Sequence, residues 1–285
     1  MKMAISPKEL QGCLDVALKA AYSAGTILLN YEKKIKKLVL IDKQNEGVAS
    51  KADTEAEENI VKILKKQFPS IPILAEETYF SLSKIERKKQ EQTFAKSDFL
   101  WVIDPLDGTS NYLNGLNYYS VSIGLAYKGS PILGVVYRPS TAEVFLGTLG
   151  GGAFYGKKGK KLLKIKIKSN QKNLKDCLFC SGFTSTPDLE EQFYFFKKMQ
   201  KKTRGLRRFG GAALDICYTA LGQFDGFWQK NLAPWDMAAA ALISQEAHAK
   251  VTNFQGKKFK IFDQGIVVAY APLHKKILQE LLEKF

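Results

Sequence analysis

Histidine is nearly missing from this chain, with His248 and His274 the only two in 285 residues. That excludes a His-rich zinc centre. Cysteine is scarce as well: Cys13, Cys177, Cys180 and Cys217 are the full set. Cys177 and Cys180 form a C-x-x-C, but no second pair follows at zinc spacing. The surrounding DCLFCSGF reads as a buried strand, where cysteine behaves as a small hydrophobe, and its thiols suit a reducing compartment. The phosphate loop G-x-x-x-x-G-K-[ST] and the serine elbow G-x-S-x-G are both missing, which removes P-loop nucleotide chemistry and the serine hydrolases. No stretch reaches the roughly 20 apolar residues of a membrane span. Lys8, Glu9, Asp15 and Lys19 interrupt what would have to be the apolar core of a signal peptide. A soluble, cytoplasmic protein with no membrane partner is expected. Internal repeats and low-complexity linkers are also missing.

Acids are the minority charge, 28 against 43 Lys and Arg, for a net charge of +15. Such a balance suits phosphorylated metabolites, nucleic acid or an acidic membrane surface, or reflects a solvated lysine-rich exterior. No RNA-binding signature or aromatic-interleaved basic run is present, so a role in nucleic-acid or transcription-complex binding has only the charge behind it. The hydrophobic fraction of 45% is that of a globular protein. The length predicts one large domain or two intimate ones, divided here as residues 1–165 and 166–285.

Helical periodicity marks residues 6–33, where Leu10, Cys13, Leu14, Ala17 and Leu18 recur behind a Ser6-Pro7 start. It returns over 53–68, with Asp53 or Thr54 at the cap position. Between them, residues 37–54 read as strand or loop. IPILAEET is a short buried strand ending in Glu76 and Glu77. Residues 79–97 form a polar excursion, partly helical, and 99–104 a buried strand. SVSIGLAY, SPILGVVYRP, AEVFLGTLG and GGAFYGKKGKKL alternate and break at glycine or proline as antiparallel hairpins do. Beyond residue 165 strands and helices alternate: DCLFCSGF, a helix over 187–201, GLRRFG, a helix in ALDICYTALG, FDGFWQ, a helix in WDMAAAALISQEA, GIVVAYA and a last helix from Pro272. This order predicts a layered α/β protein with two sheets.

Five acids stand at strand ends or helix starts: Asp53, Glu76, Asp104, Asp107 and Asp236. Edges of this kind are where α/β proteins place sites. Taken singly, Asp53 and Asp236 read as helix caps and Glu77 as a surface or supporting acid. The pair in WVIDPLDGTSNYLNG is different, because carboxylates three residues apart repel unless a cation lies between them. A hard cation such as Mg²⁺ takes oxygen ligands and bridges carboxylates to phosphate. A strand ending D-P-L-D offers two carboxylates and the Leu106 carbonyl to one pocket. Gly108-Thr109-Ser110-Asn111 then exposes backbone N–H groups at a helix start, a natural phosphate cradle.

These residues resemble the inositol monophosphatase family of Mg²⁺-dependent, lithium-sensitive phosphatases. WVIDPLDGTSN is similar to the family signature, ILAEET to its acidic strand end, and APWDMAAAALI to its C-terminal W-D motif. SKADTEAE and RRFGGAALDICYTALGQFDGFWQ are similar to the segments between, all in family order from about residue 50 to 250. The resemblance implies a five-layered αβαβα sandwich with two sheets, a homodimer, and two or three Mg²⁺ ions per site. It implies Glu76, Asp104, the Leu106 carbonyl, Asp107 and Asp236 as metal ligands. Asp53, Thr109 and Glu76 would handle the attacking water, with Glu77 nearby. Gly108, Thr109, Ser110, Ala212 and Gln229 would face the substrate.

Such a protein would hydrolyse small phosphate monoesters, inositol 1-phosphate first among them. The same fold also implies bisphosphate nucleotidase, fructose-1,6-bisphosphatase or histidinol-phosphatase activity as alternatives. Gln229, seven residues before Asp236, departs from the family's usual Glu and removes a charge from the leaving-group side. Asn117 stands where a proline is common, and residues 79–97 fall where relatives vary access to the site.

Overall fold

A computed structural model describes residues 5–34, 40–42, 48–167 and 173–282, with only the backbone described for 40–42, 48–50 and residue 95. Helix α1 spans Pro7–Glu32. The Glu9 carboxylate accepts from the Ser6 N–H at 2.8 Å and the Ser6 hydroxyl accepts from the Glu9 N–H at 3.3 Å, a reciprocal cap. By length and composition α1 could cross a membrane, contrary to the expectation that no stretch would. In the fold Leu10, Cys13, Leu14, Ala17, Ala21, Ala24 and Leu28 are buried. They pack against helix α2 and the larger sheet, as a core helix does.

Of residues 37–54, expected as strand or loop, part lies outside the described residues. Leu40–Asp42 (β1) and Val48–Ser50 (β2) pair antiparallel. Helix α2 covers Lys51–Gln67, so Asp53 lies inside its first turn and is not its cap.

The larger sheet runs in the order β3 (Ile73–Ala75), β4 (Phe99–Asp107), β5 (Ser120–Tyr127), β6 (Ser130–Arg138), β7 (Glu143–Thr148), β8 (Gly152–Lys157) and β9 (Leu163–Ile165). From β5 onward these are the antiparallel hairpins that the glycine and proline breaks predict, while β3 pairs parallel with β4. The excursion at 79–97 is helical: α3 (Glu76–Ser81) and α4 (Lys84–Lys96). Helix α5 (Thr109–Leu113) follows β4, which extends to Asp107, beyond its expected end at residue 104.

The second sheet has the order β11 (Gly205–Arg207), β10 (Leu178–Ser181), β12 (Gly226–Lys230), β14 (Gly265–Ala269) and β13 (Lys250–Thr252). Strand β13 was not expected from the sequence; three residues carry too little alternation to be seen. Cys177 and Cys180 are unbridged and buried on opposite sides of β10. Burial pushes the Cys180 thiol well above its ordinary value, which fits the core reading.

Helices α7 (Ala212–Ala220) and α8 (Pro234–Glu246) lie between the two sheets. Helices α1 and α2 cover the outer face of the larger sheet. Helices α6 (Leu189–Lys202) and α9 (Ala271–Leu282) cover the outer face of the smaller one. The result is an αβαβα sandwich. The alanine run of α8 has a physical reason here. Gly124 and Gly134 are register partners in β5 and β6. A Cβ on Gly134 would fall 2.2 Å from the Ala239 carbonyl oxygen, and one on Gly124 would fall 3.1 Å from the Ala238 Cβ. Small residues on both surfaces let the helix backbone rest directly on the sheet. That contact fixes where the start of α8, with Asp236, meets the end of β4.

Candidate active site

The site forms where β4 ends. Asp104 pairs in register with Ser122 of β5. The Ser122 hydroxyl donates to the Trp235 carbonyl at 3.1 Å, so Asp104 and Asp236 are drawn together through one buried serine. Ligand-capable oxygens of Asp104, Asp107 and Asp236 lie within 4.8 Å of one another. The rings of Tyr79 and Phe80 lie 5.4 Å and 5.5 Å from that of Trp235. This aromatic contact holds α3, which begins at Glu76, against α8. The charge of Glu76 acts on Asp104, Asp107 and Asp236 alike.

Backbone N–H groups hold the acids in place. Asp104 accepts from the Leu106 N–H at 2.9 Å. Asp107 accepts from the N–H groups of Ala212 and Ala213 at 3.1 and 3.0 Å, and its Oδ2 lies 3.3 Å from the Ser120 hydroxyl. It therefore closes the start of α7, where the helix dipole also favours a negative group. Asp236 accepts from the Ala233 N–H at 2.8 Å, but it does so from the third position of α8: Ala233 is the cap residue, and Asp236 lies inside the first turn. The Thr109 hydroxyl donates to the Leu106 carbonyl at 2.9 Å and lies 3.4 Å from Asp53 Oδ2. Asp53 is fully buried.

The electrostatics are strained without a cation. Burial first, then the charges of Glu76, Asp107, Asp236 and Asp53, push the Asp104 carboxyl well above the usual carboxylate range. Burial pushes Asp107 up to about 7, against the opposing pull of the Ala213 and Ala212 N–H groups. Asp236 is raised by desolvation, then by Asp107 and Glu76. A divalent cation is the chemistry that relieves such a cluster. The donors are all oxygen, matching a hard cation such as Mg²⁺ and not a thiolate or imidazole metal.

Of the residues expected to face the substrate, Gly108 adopts φ +90°, and a Cβ there would fall 2.9 Å from the Tyr118 carbonyl oxygen. Only glycine fits this turn into α5. Ser110 is exposed and does not line the recess that Gln229 borders. The Ala212 N–H faces Asp107 in place of open space. Gln229 lines a recess of about 220 Å³ together with Asp107, Asp236, Gly182, Thr184 and Arg208. A larger hollow of about 930 Å³ lies alongside, walled by Tyr79, Phe80, Phe94 and Trp235. Of the clustered acids, Asp107 and Asp236 line the smaller recess.

One residue escaped the sequence reading. Glu57 is 3% exposed and accepts from the N–H groups of Glu77 and Thr78, both at 2.7 Å, and from the Thr78 hydroxyl at 2.6 Å. It closes the N-terminus of α3 from α2 and so fixes the backbone that carries Glu76. Its signal was in the sequence: it lies four residues after Asp53 on the same buried helix face.

The comparisons with known proteins agree with this geometry. The model of the inositol monophosphatase family matches residues 9–285. The chain is 34% identical over 264 residues to the Nus factor SuhB of Pseudomonas aeruginosa, covering 91% of this chain and 92% of that protein. It is 34% identical over 274 residues to a fructose-1,6-bisphosphatase/inositol-1-monophosphatase of Aquifex aeolicus, covering 95% and 96%. The crystal structure of the extragenic suppressor protein suhB from Bartonella henselae superposes with a TM-score of 0.83 at 30% identity, covering 96% of this chain and all of that one. With its carboxylate cluster, its two-sheet sandwich and a match along nearly its whole length, this chain belongs to the inositol monophosphatase family, a family of metal-dependent phosphatases.

Proposed function

We propose that this protein is a Mg²⁺-dependent phosphatase of small phosphate monoesters, with inositol 1-phosphate first among its substrates. The observation that carries this reading is the trio Asp104, Asp107 and Asp236, clustered within 4.8 Å and held by backbone N–H groups. These three, with Glu76 and the Leu106 carbonyl, would hold the cation. Once bound, Mg²⁺ supplies positive charge to phosphate oxygens and lowers the pKa of nearby water. Phosphoryl transfer asks mainly for positioning and charge. Asp53 and Thr109, 3.4 Å apart, form the pair suited to orienting the attacking water and taking its proton. The turn at Gly108 supplies N–H groups for phosphate. The alcohol would leave toward the recess lined by Gln229.

Phosphate release with and without Mg²⁺ tests the reading across inositol phosphates, sugar bisphosphates, phosphoadenosine phosphate and histidinol phosphate. Mg²⁺-dependent release led by inositol 1-phosphate is expected; a different leading ester moves the assignment to one of the alternatives on this fold. A second reading, association with transcription complexes, draws on the net charge of +15 and the Nus factor name of a relative. Such binding would survive Asp104→Asn, which removes the phosphatase reading's central acid, whereas loss of binding in that variant would tie the two together. We further propose a cytoplasmic homodimer, which sedimentation can check.

A further inference from the structure

The recess lined by Asp107 and Asp236 also carries an arginine that the reaction above does not use. The other arginines near the site are engaged. Arg87 donates to the carbonyls of Tyr79, Phe80 and Leu82. Arg138 donates to the Asn117 carbonyl, to Glu143 and to the Tyr218 hydroxyl. Arg207 donates to the Leu206 carbonyl at 3.0 Å. The guanidinium of Arg208 instead lies 4.4 Å over the ring of Phe183. Among the described residues it pairs with no carboxylate and donates to no protein acceptor. Stacking on an aromatic face restrains a guanidinium while leaving its N–H edge available. That edge is the group best matched to a phosphate or carboxylate.

The rest of the wall agrees. Arg208 and Phe183 line the same recess as Asp107 and Asp236. At about 220 Å³ this space is below the ~300–1,000 Å³ of pockets for drug-sized ligands, so the leaving group is small. Asp215 also borders it, but accepts the Tyr118 hydroxyl at 2.6 Å, and burial raises its carboxyl well above the ordinary range. Gln229 contributes an uncharged amide, folded back against the strand end. A Cβ on Gly182 would fall 2.2 Å from its Oε1, so the amide occupies the place of a side chain at 182 and leaves the recess open. Beyond the acids suited to the cation, the wall presents a guanidinium, an amide and the Thr184 hydroxyl.

We propose that Arg208 receives a second anionic group, a phosphate or a carboxylate, on the alcohol side of the substrate. This rests on the phosphatase reading and deepens it. It adds to inositol 1-phosphate, as further substrates of the same recess, small esters whose leaving group is itself charged.

The test is kcat/KM with Mg²⁺ for fructose 1,6-bisphosphate, 3-phosphoglycerate, inositol 1-phosphate and p-nitrophenyl phosphate, in the wild type, Arg208→Ala and Arg208→Lys. In Arg208→Ala the ratio of a charged-leaving-group ester to the two uncharged ones falls roughly ten- to a hundredfold, mostly through KM, the scale of a lost charge-assisted contact. Arg208→Lys restores part of it as a point charge. Whether the bisphosphate or the phosphoglycerate ratio falls identifies the second group as phosphate or carboxylate. Equal losses on all four esters, or an unchanged ratio, overturn the proposal while leaving the phosphatase reading intact. No Mg²⁺-dependent release from any ester by the wild type overturns both.

Discussion

The two sides of one recess are built in different ways. On the floor, Asp104, Asp107 and Asp236 are buried or half-buried and held by backbone N–H groups of Leu106, Ala212, Ala213 and Ala233. On the wall, Gln229 and Arg208 are long side chains with movable ends, one resting on Gly182 and the other on Phe183. The floor cannot shift without moving helix starts and a strand end. The wall can change by a single rotamer or substitution. Chemistry is fixed where the backbone does the holding, and substrate choice is adjustable where side chains do.

The largest expected effect comes from breaking the floor. Asp104→Asn keeps an acceptor for the Leu106 N–H but removes a charge. Phosphate release should fall by orders of magnitude, while the metal-free protein should melt higher than the wild type, because one buried repulsive charge is gone. Activity assays and calorimetric melts check both; a metal-free protein that melts lower would contradict the electrostatic account.

Next comes the support beneath the floor. Glu57→Ala leaves the N–H groups of Glu77 and Thr78 without their acceptor, at a cost of about 1–3 kcal/mol in urea unfolding. Loosening Glu76 should weaken Mg²⁺ binding roughly 10–100-fold, the usual scale for groups that orient metal ligands. Glu57→Gln, which keeps one acceptor, should recover part of each. If Mg²⁺ titration shows no change, Glu57 serves stability alone.

What could be read in the sequence follows the same division. Asp104 and Asp107 were legible because they stand beside strand-ending and turn-forming residues, Asp104 before Pro105 and Asp107 before Gly108, whereas Asp236 reads by itself as a helix cap and joins them only through the family resemblance. The two-sheet layering was legible from hairpin breaks followed by strand–helix alternation, and the five-layered sandwich from the family resemblance. Glu57 was missed because a glutamate in a lysine-rich helix looks like a solvated charge, and only the register with Asp53 betrays its burial. Asp53 was misread as a cap because the true start of α2 lies two residues earlier. The aromatic contact of Tyr79 and Phe80 with Trp235 was hidden in an excursion whose overall polarity reads as exposed. The seat of Gln229 on Gly182 joins residues 47 apart in sequence, and no local pattern encodes it.

A smaller effect appears in the pH dependence. Asp107 is raised from 3.8 to about 7, so the folded metal-free protein binds this proton more tightly than the unfolded chain. The resulting stability is full below pH 3.8 and is lost as pH rises through 7. His274 acts oppositely: burial lowers its imidazole from 6.5 to about 4, so its contribution is lost as pH falls through that window. Mg²⁺ separates the two, since His274 lies away from the floor, 2.9 Å from the Thr252 hydroxyl. Melts at pH 8 should rise on adding Mg²⁺, with a much weaker response at pH 5. Equal responses would remove the floor as the origin.

The smallest effect belongs to the wall. Gly182→Ala places a methyl where the Gln229 amide rests and turns that amide into the recess. The amide is the end of a flexible chain, so the fold should hold. KM for bulky esters should rise a few-fold, with kcat nearly unchanged. An unaltered KM across the ester series would mean that Gln229 does not border the leaving group.

The most direct measurement of the central claim is phosphate release from inositol 1-phosphate by the wild-type chain, stripped of metal and then given Mg²⁺, beside Asp236→Asn treated identically. The account predicts no release before Mg²⁺, turnover after it, and a loss of orders of magnitude in a folded Asp236→Asn. Metal-independent release, or wild-type turnover in Asp236→Asn, would contradict it.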